Sequence, residues 1–166
     1  HEEDWWTEVK LAKDFSVWIL PARHFSGRSL TRNQTQFASL AFITPGRKVF
    51  YSGDGGYDSR FAEIGRRLGG FDLAIIENGQ YSSSWATVHM MPEESARAAE
   101  DLRARSVVPC HNSKYSLSLH CWRDPMDAFL KVSEGRSYQL LTPRIGEVLE
   151  MDGKGQALDR WWQELR

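Results

Sequence analysis

Three strand-length apolar runs in this chain each break off beside a side chain able to ligate a metal. The run at 15–22 (FSVWILPA) passes through Arg23 to His24, the run at 48–52 (KVFYS) passes through Gly53 to Asp54, and Val107-Val108-Pro109-Cys110 ends at His111. Short apolar runs bounded by turn residues read as strands of a covered sheet. Loops at strand ends are where sites gather in layered α/β domains, so this one feature constrains architecture and chemistry together. Two imidazoles and a carboxylate suit a hard-to-borderline divalent cation such as zinc, with manganese or iron also accepted by such ligands. A working hydrolytic site needs more ligands than these three.

The intervening segments supply the rest of the pattern. Residues 37–44 and 48–52 read as strands joined by a tight turn at Pro45-Gly46. Asp58 or Ser59 caps a helix over 60–68 that Gly69-Gly70 stops, and the run at 71–77 (FDLAIIE) is apolar enough to be a central strand. Pro92 opens a helix to about 105, with Glu93 and Glu94 in its first turn and Ala96, Ala99 and Leu102 along one face. A short buried strand at 107–110 follows, then a helix from Asp124-Pro125 to about 134, closing strands at 138–141 and 147–151, and a short amphipathic helix at 158–165. No repeat, low-complexity tract or linker divides the chain, so residues 1–166 form one α/β unit, a mixed sheet with covering helices.

Composition excludes several classes of partner. With 21 basic and 22 acidic residues evenly interleaved, the net charge of −1 leaves no electrostatic footprint for nucleic acid or an anionic membrane surface. No apolar run is long enough for a transmembrane segment, and no basic-then-apolar leader is visible. Cys110 and Cys121 are too few for a disulfide framework and fit a reduced compartment, which makes the cytoplasm the expected location. The chain opens at His1 rather than Met, so an upstream segment is expected. Trp5-Trp6 and Trp161-Trp162 near the two ends imply terminal segments that dock onto something.

Taken singly, each candidate has an ordinary explanation. His24 could be a strand-end histidine of the core or surface, and Asp54 could cap its own Asp-Gly turn. Strand alternation turns Cys110 away from the side on which His111 emerges, which makes it a small buried residue rather than a ligand. His89, before the Pro92 helix, and His120, in Leu-His-Cys-Trp, are further candidates for hydrogen bonding or proton transfer. No serine stands in a Gly-x-Ser-x-Gly elbow, so a serine hydrolase gains nothing here.

Conjunction and order add what single motifs lack. Pro-Ala-Arg-His-Phe-Ser-Gly-Arg from Pro21, Val-Phe-Tyr-Ser-Gly-Asp-Gly-Gly-Tyr from Val49, Phe61-Ala62-Glu63-Ile64-Gly65, Phe71-Asp72-Leu73-Ala74 and His89-Met90-Met91-Pro92-Glu93-Glu94 lead in sequence to His111. From Trp5 to about Phe129 this series resembles the C-terminal half of metallo-β-lactamase-fold hydrolases, in the branch that includes N-acyl-phosphatidylethanolamine-hydrolysing phospholipase D and the ascorbate-6-phosphate lactonases. The resemblance implies a dinuclear site in which His24 ligates one metal, Asp54 bridges two, and His111 ligates the second. It also implies that His89 acts near the substrate as a polar or proton-transfer group, with Asp54 and His89 the catalytic pair, and that His120 and Tyr57 lie in the outer shell or against the substrate. A bridging carboxylate holds two cations ~3.5–4 Å apart, so that a metal-activated hydroxide attacks the bond they polarise.

The family's His-x-His-x-Asp-His loop is absent from these 166 residues, because no two of the histidines His1, His24, His89, His111 and His120 stand at that spacing. The resemblance therefore implies the C-terminal portion of an αββα sandwich, with the N-terminal half missing. An inner sheet face left bare would be a large apolar patch, covered by that missing half, in the same parent chain or a separate one, or by another copy of this chain. The expected function is a metal-dependent hydrolase acting on a small-molecule phosphodiester, phosphorylated sugar or lactone once the site is completed, with two divalent metals per complete site. The competing expectation is a non-catalytic half-domain serving assembly or binding.

Overall fold

The computed structural model describes residues 2–27, 30–31, 33–115, 117–151 and 159–165. One seven-stranded sheet runs in chain order, β1 (Thr7–Ala12), β2 (Phe15–Pro21), β3 (Ala38–Ile43), β4 (Lys48–Tyr51), β5 (Phe71–Glu77), β6 (Ala104–Cys110) and β7 (Gln139–Leu140). The first four strands are antiparallel neighbours, with short turns joining β1 to β2 and β3 to β4, whereas β4 to β7 are parallel. Parallel neighbours need crossovers, supplied by α1 (Arg60–Leu68), α2 (Pro92–Asp101) and α3 (Asp124–Ser133). A short α4 (Trp161–Glu164) closes the described chain. The mixed sheet with helices is the α/β architecture anticipated from the sequence.

Packing separates the two faces of the sheet. Trp18, Ala41, Phe50, Ala74, Val107 and Leu140 stand in one register row across β2 to β7. On that face the helices add Ile64 from α1, Ala96 and Ala99 from α2 and Phe129 from α3, which together form the main apolar core. The alternate rows run Val17–Phe42–Val49–Leu73 and Ile19–Leu40–Tyr51–Ile75–Val108. None of these residues belongs to an apolar cluster with the helices, and Tyr51 is 40% exposed.

Several element boundaries differ from the sequence reading. Helix α2 stops at Asp101 rather than near 105, because Arg103 turns the chain at φ 54 and pairing of Phe71 with Ala104 starts β6 three residues early. Strand β1 and a 3-10 turn at Ser83–Trp85 had no clear sequence signal, and the strand expected over 15–22 ends at Pro21. The strand expected at 147–151 does not form. There the chain turns at Arg144–Glu147, where the Arg144 carbonyl accepts the Glu147 N–H and Gly146 adopts φ 87. Residue 158 of the expected last helix lies outside the described residues. Both tryptophan pairs dock: Trp5 Nε1 donates to the Phe37 carbonyl at 2.8 Å, and Trp161 and Trp162 bury against Met126 of α3.

Candidate metal centre

Strands β2, β4, β5 and β6 all point the same way, so their C-terminal ends share one edge of the sheet. The candidate site is built there. His24 lies in the turn beyond β2, with its ring stacked on Phe37 at 4.5 Å and on Phe25 at 4.8 Å. Its Nδ1 donates to the Phe25 carbonyl at 2.8 Å, which places a proton on Nδ1 and turns Nε2 toward the cleft. That Nε2 lies 3.5 Å from Asp54 Oδ2.

Asp54 reaches this position through a left-handed turn at Gly53, φ 65, directly after β4 and Ser52. The turns after β2 and β4 are tied across the end of β3 by Gly56 N–H donating to the Arg23 carbonyl at 2.8 Å and by Arg23 Nη1 donating to the Tyr57 carbonyl at 2.9 Å. Ser52 links the cluster to β5, because its buried hydroxyl accepts the Glu77 N–H at 2.8 Å.

His89 and His111 complete the convergence. Their rings stack at 5.3 Å, and His89 meets His24 edge-on at 5.6 Å. His111 leaves β6 with φ 63, a left-handed conformation that is uncommon outside glycine and that swings its ring back over the strand end. Cys110, just before it, is neither in the cleft lining nor among the grouped ligand atoms, as expected of a small buried residue. That residue is the register partner of Glu77, and burial with the nearby Glu77 and Asp54 charges pushes its thiol up to about 12. Donation of the His111 ring N–H toward the Glu77 carboxylate holds the pKa of His111 above its ordinary value against the opposing effect of burial.

His24, Asp54, His89 and His111 line a single open cleft of about 750 Å³, together with Phe25, Phe37 and Leu117. Tyr57 and His120 are not among its lining residues. The Tyr57 hydroxyl donates to Asp101 of α2 at 2.6 Å, and burial with that hydrogen bond pushes its pKa up to about 12, so this side chain belongs to the helix layer. His120 packs its ring against Tyr81 at 4.6 Å and places Nδ1 3.0 Å from the Cys121 carbonyl oxygen.

Glu77, the last residue of β5, was not anticipated in the site. Its side chain is fully buried, and Oε1 lies 3.2 Å from His89 Nδ1 and 3.5 Å from His111 Nδ1. Ligand atoms of Glu77, His89 and His111 fall within 4.8 Å of one another. The only sequence signal for Glu77 was a charge closing the apolar stretch Leu73–Ile76, just before Asn78-Gly79. Gln80 was also missed as an anchor: its buried amide oxygen accepts the N–H groups of Leu117 and Ser118, which fixes the loop that carries Leu117 to the cleft. As a donor set, imidazole nitrogens with free lone pairs beside carboxylates fit a divalent cation of the zinc, manganese or iron type.

The Beta-lactamase superfamily domain matches residues 1–112. Outer membrane protein RomA of Klebsiella pneumoniae is 56% identical over 103 residues, covering 62% of this chain and 78% of that protein. An N-acyl-phosphatidylethanolamine-hydrolyzing phospholipase D of Caenorhabditis elegans is 30% identical over 86% of this chain and 42% of its own length. The solved structure of Igni18, a metallo hydrolase from Ignicoccus hospitalis, superposes with a TM-score of 0.65 at 20% identity, over 84% of this chain and 55% of that one. The chain therefore belongs to the metallo-β-lactamase-fold family of metal-dependent hydrolases. It spans less than half the length of the nematode relative. Among the described residues, no helix is long and apolar enough to cross a membrane.

Proposed function

We propose that this chain carries the C-terminal share of a dinuclear metal-dependent hydrolase site. In this reading His24 ligates one cation, Asp54 bridges the pair, and His111 ligates the second, while His89 stands beside them as the proton-transfer group toward substrate. The observation that supports this reading is the meeting of these four side chains in one cleft from separate loops, with His24 Nε2 3.5 Å from Asp54 Oδ2. Bound divalent cations would supply Lewis acidity and make water nucleophilic at neutral pH. The protein's own residues do the rest. Phe37 and the Phe25 carbonyl fix the His24 ring, the Gly53 turn aims Asp54, and the stacked His89 can pass a proton at Nε2.

The apolar face bearing Ile19, Leu40, Ile75 and Val108 packs against the remainder of the domain, which also brings the other ligands. The substrate is a small-molecule phosphodiester, phosphorylated sugar or lactone. Zinc is the first metal to test, because mixed imidazole and carboxylate ligands suit it. The deciding experiment is elemental analysis of the full-length protein, purified without chelators, alongside His24→Ala and His111→Ala variants. Close to two metals per chain, falling in both variants, is expected; no metal in the wild-type protein would overturn the reading.

A further inference from the structure

We infer that Glu77 is a positioning residue that sets the tautomer and direction of two imidazoles at once, those of His89 and His111. This inference rests on the metal-site reading above for its purpose, and on the protein's own geometry for its content. Glu77 ends β5 with none of its side chain accessible to solvent, and it is absent from the cleft lining although both histidines line it. The carboxylate therefore sits beneath the rings, not in the space where substrate or cation would enter.

Its two oxygens divide the work. Oε2 accepts the Met90 N–H at 3.0 Å, which holds the carboxylate against the segment that carries His89. Oε1 faces Nδ1 of His89 at 3.2 Å and Nδ1 of His111 at 3.5 Å. A carboxylate accepts hydrogen bonds and donates none, so each ring must carry its proton on the nitrogen facing Glu77. In the neutral form of each ring, Nε2 is then the nitrogen that keeps its lone pair. A neutral imidazole can otherwise hold its proton on either nitrogen, and the partner of one nitrogen decides what the other can do.

The pattern extends to a third ring by other means, since the Phe25 carbonyl fixes the proton of His24 on Nδ1. All three imidazoles thus offer Nε2, one through a backbone carbonyl and two through a single shared carboxylate. Sharing has a consequence that two separate acceptors would lack: the two rings, stacked at 5.3 Å and 13°, are held in fixed relation to each other. A carboxylate buried at this depth is costly unless its hydrogen bonds are made, and here the His89 ring and the Met90 N–H make them, with the His111 ring facing the same oxygen at 3.5 Å.

The test uses the full-length protein as wild type, Glu77→Gln and Glu77→Asp. Long-range proton–nitrogen NMR correlations of the imidazoles, recorded without metal, report which nitrogen of each ring carries the proton. The wild-type protein is expected to show Nδ1–H for both His89 and His111. A glutamine amide cannot present acceptors to both rings and to Met90 N–H together, so Glu77→Gln is expected to convert at least one ring to the Nε2–H form. It should also weaken metal binding by about 10–100-fold in chelator competition, the usual range for loss of an outer partner of a ligand. Glu77→Asp, which keeps the carboxylate, is expected to restore the wild-type tautomers in part.

Nε2–H on either ring of the metal-free wild-type protein would overturn the inference, and that spectrum decides the matter even where Glu77→Gln does not fold. A folded Glu77→Gln protein with unchanged tautomers and unchanged affinity would overturn it as well. A wild-type protein that shows the expected tautomers but binds no metal would count against the metal site while leaving the role of Glu77 intact.

Discussion

His24 Nε2 and Asp54 Oδ2 lie 3.5 Å apart although their strands, β2 and β4, are separated in the sheet by β3. The gap is bridged above the end of β3 by the hydrogen bond from Gly56 N–H to the Arg23 carbonyl. The two side chains are thus held by backbone contacts that do not depend on either of them. Asp54→Asn should accordingly leave the fold alone, with a stability change within about 1 kcal/mol for a side chain that is 34% exposed. Hydrolysis by the full-length protein should fall by at least about 100-fold, the upper range for loss of a mere outer partner, and metal content should drop. Full activity with two metals per chain in the variant would sink the bridging role.

Gly79 sits where two loops nearly touch. A β-carbon there would lie 2.5 Å from the His111 carbonyl oxygen and 3.2 Å from Asn112 Cβ, closer than side-chain carbons tolerate. Gly79→Ala should push the 78–80 segment away from His111 and cost about 1–3 kcal/mol by overpacking. That outweighs the ~0.4–1 kcal/mol gained from a stiffer unfolded chain. A lowered melting temperature together with reduced metal content is expected, because the same shift moves the His111 ring. Wild-type stability would show that the loops separate freely.

The two cysteines should differ sharply in reactivity. Burial, with Glu77 and Asp54 nearby, pushes the Cys110 thiol up to about 12, whereas Cys121 is exposed. At pH 8 a thiol with that pKa is thiolate to only about one part in 10⁴, and the thiolate is the species that reacts. Brief treatment of the folded protein with iodoacetamide should therefore add one carbamidomethyl group, at Cys121, by intact mass. Equal labelling of both would contradict this environment for Cys110.

How far the sequence revealed this molecule depends on whether local or long-range physics sets each feature. Helix α1 and strand β5 were legible to the residue, since Gly69 stops the one at φ 75 and a predominantly apolar run defines the other. His24, Asp54, His89 and His111 were legible as a set from motif order, and they do line one cleft. Glu77 was not, because its role arises only when β5 and β6 pair and bring it beside Cys110 and His111. The left-handed turn at His111 was not legible either, because strand alternation cannot foresee it. Tyr57 follows the Asp54 motif closely in sequence, yet its ring stacks on Phe61 and its hydroxyl finds Asp101, so packing rather than sequence proximity decided its place.

The C-terminal helix offers a test of pH dependence away from the metal site. Asp127 of α3 accepts hydrogen bonds through Oδ1 from Trp162 Nε1 at 2.8 Å and Gln163 Nε2 at 2.7 Å, which fastens α4 to α3. Partial burial raises its carboxyl pKa, but these hydrogen bonds, aided by Arg123, outweigh that and leave it below the ordinary value. For a carboxyl group depressed in the folded state, the stabilisation is fully present above the unfolded value of about 3.9 and is lost as pH falls through the folded value. Acid below about pH 4 should therefore loosen α4, seen as a change in tryptophan fluorescence while Trp162 loses its buried site. Asp127→Ala should reproduce the loosening at neutral pH at a cost of about 1 kcal/mol, the low end for hydrogen bonds to a charged group that is itself exposed. Asp127→Asn keeps an accepting oxygen, so it should hold α4 in place and remove the acid transition. A transition that persists unchanged in Asp127→Asn would assign the pH dependence to another group.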